Sequence, residues 1–183
     1  MKTKTSWVTA DPHFSHAGVC HFLRDDGTKL RPWDTPDEMD ADMTERWNSV
    51  VKPHDRVYVL GDVAINKRGV EVFGRLHGKK VLVKGNHDIF ALKDYAPYFE
   101  DVRGYKVLPG EAILSHIPIH PESIERFKLN LHGHLHARRV MTNPPLAWLR
   151  RPDPRYLCVS VEHTNFYPVP LEDAVSGKLT FPA

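Results

Sequence analysis

Short apolar runs rich in β-branched residues recur along this chain, separated by stretches whose apolar positions repeat every three or four residues. The runs are Ser6 to Ala10 (SWVTA), Arg56 to Leu60 (RVYVL), Lys80 to Lys84 (KVLVK), Ala112 to Ser115 (AILS), Leu129 to Leu131 (LNL) and Tyr156 to Val161 (YLCVSV). Each is short and nearly continuous in apolar character, which predicts strands covered on both faces. The clearest helix signal begins at Thr35. Thr35 can cap, Pro36 suits the first helical position, Glu38 completes a capping box, and Met39, Met43 and Trp47 return every four residues on one face. A second helix is expected near Gly69 to Leu76. Arg138 to Arg155 (RRVMTNPPLAWLRRPDPR) is rich in proline and arginine and reads as a long excursion before the last strand.

Composition narrows the class. A chain of 183 residues with 41% hydrophobic and 26% charged residues reads as one globular domain over residues 1–183, able to bury roughly 70% of its unfolded surface. No apolar run approaches the ~20 residues of a membrane span. The basic N-terminus is interrupted by Asp11 and His13 before an apolar stretch can develop, which predicts a cytoplasmic protein without a signal peptide. Cys20 and Cys158 are too few for a disulfide framework and are expected to be reduced. The net charge of +2 makes no case for nucleic-acid binding. Twelve histidines are the outlier, and they direct attention to metal ligands.

The chemistry gathers where the predicted strands stop. Asp11 and His13 follow the first run, Gly61 and Asp62 the second, and Gly85, Asn86, His87 and Asp88 the third. His116 follows the fourth, and His132 to His136 (HGHLH) the fifth. One Asp, Asn or His at a strand end is usually a turn or capping residue. Five such ends in series can converge at the carboxyl edge of an α/β sheet, where ligands collect. Oxygen and imidazole donors without thiolate suit divalent manganese, iron or zinc, and there are more donors than one ion needs.

At these residues the chain resembles the calcineurin-like metallophosphoesterases, whose D-x-H, GD, GNH-acid, lone His and G-H-x-H blocks all stand here in order. The likeness runs from about Trp7 to the SVEHTNFYPVPL tail and is nearest to small phosphoesterases of bacteria and phages. It implies an α/β/β/α sandwich of two mixed sheets flanked by helices. It also implies two divalent ions, manganese first, with iron, zinc, nickel or cobalt as alternatives. One ion would be held by Asp11, His13, Asp62 and His136 and the other by Asp62, Asn86, His116 and His134, with Asp62 bridging. The implied reaction is in-line attack of a metal-bridging hydroxide on a phosphate ester, with His87 as the general acid at the leaving oxygen.

The expected substrate is a small phosphodiester such as a nucleotide derivative, contacted by His16, Arg31, Arg138 and Arg139. Asp88 is expected to bond either an imidazole or nearby backbone. In the related protein phosphatases an aspartate three residues beyond the bridging one orients the catalytic histidine; here that position is Ile65. A nuclease, a phosphomonoesterase and a protein phosphatase are alternatives on the same ligands. A non-catalytic scaffold is the alternative of a different class, and His87 argues against it.

Overall fold

The computed structural model describes residues 4–182. Its strands, in chain order, are β1 (Ser6–Thr9), β2 (Arg56–Val59), β3 (Lys79–Val83), β4 (Asp101–Arg103), β5 (Tyr105–Leu108), β6 (Ala112–Ser115), β7 (Leu129–His132), β8 (Tyr156–Cys158) and β9 (Val169–Pro170). They form two mixed sheets. The first has the order β4-β3-β2-β1-β9 and the second β5-β6-β7-β8. β1 to β4 pair in parallel and β9 lies antiparallel on β1, while β5 is antiparallel on an otherwise parallel second sheet.

Side-chain alternation builds two apolar layers from the same strands. Tyr58, Leu60, Val81 and Val83 point between the sheets, where they meet Ala112, Leu114, Leu129 and Leu131. Val57, Val59 and Leu82 point the other way, into a layer containing Met39, Met43, Trp47 and Phe73. Burial on both faces is why these strands carry no polar alternation. The outer layer comes mainly from α1 (Pro36–Val50), whose N-terminus is a capping box. The Thr35 hydroxyl accepts from Glu38 N at 3.2 Å and the Glu38 carboxylate accepts from Thr35 N at 3.2 Å. The second helix is α2 (Lys67–Val72), tightening into a 3-10 turn at Phe73–Arg75. The fold is thus two mixed sheets flanked by helices, as the resemblance implied. No helix among the described residues is long and apolar enough to cross a membrane.

At the carboxyl edge the sheets are joined. The loops after β1 and β2 run side by side, with Asp11 N donating to Gly61 O and His13 N to Asp62 O, each at 3.1 Å. From the second sheet, Val161 N donates to Ala10 O at 3.1 Å and His134 N to Asp11 Oδ2 at 2.9 Å, while within that sheet Gly133 N donates to His116 O at 3.0 Å. The last expected run, Tyr156 to Val161, is a strand only in its first half: β8 stops at Cys158, and Val161–His163 form a 3-10 turn.

Trp47 is 3% exposed in the helix layer, with its indole N–H on His77 O at 3.0 Å. Trp47→Ala is expected to cost about 3–5 kcal/mol, against about 1 kcal/mol for loss of the cap in Thr35→Ala. Urea unfolding of both variants checks the ranking.

Candidate active site

Five of the seven expected ligands have left-handed backbone: φ is 56° at Asp11, 49° at His13, 51° at Asp62, 69° at His134 and 50° at His136. Non-glycine residues enter this region at a cost of order 1–3 kcal/mol each and persist only where their surroundings hold them. Here each sharp turn at a strand end reverses the side chain into the gap between the sheets. Glycines make the approach close enough. A Cβ on Gly85 would lie 2.2 Å from Asp62 Oδ1, and one on Gly133 would lie 2.5 Å from Asp11 Oδ2.

Two groups of donors result. The ligand atoms of Asp11, His13 and His136 lie within 4.8 Å of one another, as do those of Asp62, His116 and His134. Asn86 joins the second group, its Oδ1 lying 2.9 Å from His116 Nε2 and 3.0 Å from His134 Nδ1. Asp62 sits between the groups, with Oδ2 at 3.3 Å from His116 Nε2 and 3.7 Å from His13 Nε2. Burial alone would raise the Asp62 pKa, but His116, the His87 amide and His13 together outweigh it and hold the carboxyl at about 2.

The first group is held by an ion pair that spans the fold. Glu162 Oε1 accepts from Arg31 Nε at 2.9 Å and lies 2.8 Å from Arg31 Nη2, with both side chains fully buried. The same oxygen is 3.1 Å from His136 Nδ1, which leaves Nε2 of that ring as the free donor. Arg31 also donates to the carbonyls of Asp11 and Pro12, each at 2.7 Å. Burial opposes the charge on Glu162, yet Arg31 and His136 keep its carboxyl at about 2. Asp11 receives the Ser160 hydroxyl at 2.6 Å and the His134 amide at 2.9 Å.

The donor set fits two divalent cations. Burial pushes Asp11 up to about 6, so a cation in its group is the partner that would keep it ionised. Burial, then Arg31, lowers the His13 pKa well below its usual value, which favours the neutral form a ligating imidazole needs, and its buried Nδ1 has no hydrogen-bond partner among the described residues.

Asp88 resolves in favour of backbone. Its carboxylate accepts from Asp62 N at 2.8 Å, Val63 N at 2.9 Å and Gly85 N at 2.7 Å, tying the loops after β2 and β3 together. His87 is exposed, its amide donates to Asp62 Oδ1 at 2.8 Å, and its ring stands edge-on to His13 at 5.7 Å. Among the described residues that ring has no hydrogen-bond partner, and Ile65 supplies none. His16 lies beside the site, with ring centroids 5.5 Å from His13 and 6.0 Å from Phe22. His132 is fully buried with Nδ1 on Gly133 O, a packing role.

The expectation that Arg31 contacts substrate is corrected. It is 1% exposed, and its guanidinium is taken up by Glu162 and two backbone carbonyls. Arg138 is exposed and paired with Asp25 at 2.5 Å, while Arg139 is exposed. Sequence reasoning missed Glu162, Ser160 and the part played by Arg31. The available signal was a lone acid ending the apolar run YLCVSVE.

No family model matches the chain. It is 30% identical over 176 residues to the uncharacterized protein MJ1445 of Methanocaldococcus jannaschii, covering 94% of this chain and 90% of that protein. The Gene 66 protein of Mycobacterium phage D29 is 29% identical over 176 residues, covering 75% of this chain and 83% of the phage protein. In three dimensions the chain is similar to AQ665 from Aquifex aeolicus, a protein of unknown function. The TM-score is 0.66 at 22% identity, over 95% of this chain and 99% of that one.

Because Glu162 fixes the orientation of His136, Glu162→Gln is expected to weaken the first metal site 10–100-fold, the usual effect of losing a carboxylate behind a ligating histidine. The second site should change little. Calorimetric manganese titration resolves the two sites, with thermal melting as the check on folding; equal weakening of both would refute this role.

Proposed function

We propose that this chain, which belongs to the same family as MJ1445, is a metal-dependent phosphoesterase that hydrolyses phosphate esters at the junction of its two sheets. The observation that carries the reading is the pair of donor groups with Asp62 between them. Bound divalent ions, manganese first, would activate water near neutral pH and polarise the phosphoryl oxygens. Asp11, His13 and His136 would hold one, and Asn86, His116 and His134 the other, with Asp62 shared.

The chain's own residues do the rest. Glu162 and Asp88 keep ligand side chains from relaxing toward ordinary backbone geometry. Asn86 adds an oxygen donor without adding charge, so the loaded site would remain electropositive and attract a phosphate. His87 is anchored through its amide to the shared carboxylate while its ring stays free and exposed. That is the placement a proton donor to a departing alkoxide needs. An exposed imidazole outside both donor groups also favours an enzyme over a binding scaffold of the same fold.

Chelation is expected to abolish hydrolysis of an aryl phosphodiester and manganese to restore it. Full activity in excess chelator would refute the reading, and a metal-loaded protein that cleaves no ester would be a scaffold. His87→Asn should keep its metals while losing roughly 10²–10⁴-fold in turnover, with alkoxide leaving groups affected more than nitrophenolate. Asp62→Asn should instead lose metal, and all esters should then fail alike. Metal content and rates on both ester types, taken together, separate proton donation from coordination.

A further inference from the structure

Residues 138–155 form an arm at the rim of this site. Val140 and Asp153, then Thr142 and Arg151, pair across its base, with Asp153 N on Val140 O at 2.9 Å and Thr142 N on Arg151 O at 2.8 Å. Its tip carries Leu146, Trp148 and Leu149, all exposed, with Trp148 78% accessible. The segment has five arginines, no lysine and a single acid, Asp153, which is buried and paired with Arg155 at 2.7 Å. Arg139, Arg150 and Arg151 are exposed and make no ion pair among the described residues. A chain of net charge +2 has therefore concentrated its positive charge here.

Beside His134 and His136 the root of the arm opens into a cleft of about 640 Å³ whose lining includes Phe22, Arg24, Asp25, Asp26 and Arg138, with Arg138 paired to Asp25. Phe22 is half exposed and stands edge-on to His16. An aromatic therefore borders the donor groups and a second one tops the arm, where Arg139, Arg150 and Arg151 supply the charge that Asp25 and Asp26 offset in the cleft.

We propose that the arm and the cleft form a path for a single nucleic-acid strand, making the substrate of the phosphoesterase a polynucleotide phosphodiester; the claim about substrate rests on the phosphoesterase reading. Guanidinium groups match phosphate in a planar fork that lysine lacks. Exposed aromatic faces stack on any unpaired base, a contact that a duplex, with its bases already stacked, does not offer. An anionic membrane would engage the arm's tip and arginines but would leave the aromatic cleft beside His134 and His136 without a role.

The test is anisotropy of a fluorescein-labelled deoxyoligonucleotide of about twelve residues, titrated with the full chain in chelator so that nothing is cut. Binding that weakens with salt is expected. Trp148→Ala should weaken it roughly 5–100-fold, the scale of one stacking contact. Arg150→Ala combined with Arg151→Ala should flatten the plot of log affinity against log salt by about 1.4, at about 0.7 per lost phosphate contact. Thermal melting verifies that each variant is folded. Absence of binding, binding indifferent to both changes, or stronger capture by phosphatidylserine vesicles than by the strand would overturn the path. Strand binding by a manganese-loaded protein that hydrolyses no aryl phosphodiester would instead overturn the phosphoesterase reading, and with it the claim about substrate.

Discussion

Left-handed backbone at the strand ends is the constraint on which the site depends. Asp11, His13, Asp62, His134 and His136 all turn sharply there, and each would relax at a gain of order 1–3 kcal/mol if released. The rest of the architecture opposes that release. Parallel strands bring the turns to one edge, the inter-sheet core fixes the distance between the two sets, and bonds from Val161 N to Ala10 O and from His134 N to the Asp11 carboxylate lock one sheet's loops to the other's. Strain of this kind persists where function requires a side chain aimed against its backbone's preference.

Two buried anions enforce the arrangement from opposite sides. Asp88 gathers three backbone amides and so fixes the spacing between the Asp62 turn and the Gly85 turn. Glu162 and Arg31 clamp His136 to two consecutive carbonyls of the first turn, those of Asp11 and Pro12. Buried charges are costly unless they are paired and fully bonded. Glu162 is satisfied on Oε1 while its buried Oε2 has no partner among the described residues, so this pair is better explained as setting geometry than as adding stability.

The parts of the fold that the sequence made legible are the buried ones. Central strands β1, β2, β3 and β6 advertise themselves because both faces are largely apolar, β7 through Leu129 and Leu131 although its other face carries the buried Asn130 and His132, and α1 because its cap and stripe are local. The missed strands β4, β5 and β9 all lie at sheet edges, where charged residues such as Asp101 and Arg103, or a proline such as Pro170, blunt the open side. The candidate ligands were legible because a polar residue directly after an apolar run is conspicuous in one dimension. Glu162 and Arg31 were not, since 131 positions separate them and only the folded chain brings them together. Arg31 was misread for the same reason: an arginine in a loop near the first block reads as a phosphate contact, and nothing local to it marks the buried carboxylate it meets.

The central claim is that the two donor groups hold two ions which share Asp62. A crystal soaked in manganese, with data collected at the manganese absorption edge, tests it most directly. The account predicts two anomalous peaks about 3.5–4 Å apart, one against Asp11, His13 and His136 and the other against Asn86, His116 and His134, with Asp62 touching both. A single peak, or peaks bound elsewhere with Asp62 outside their reach, would contradict it.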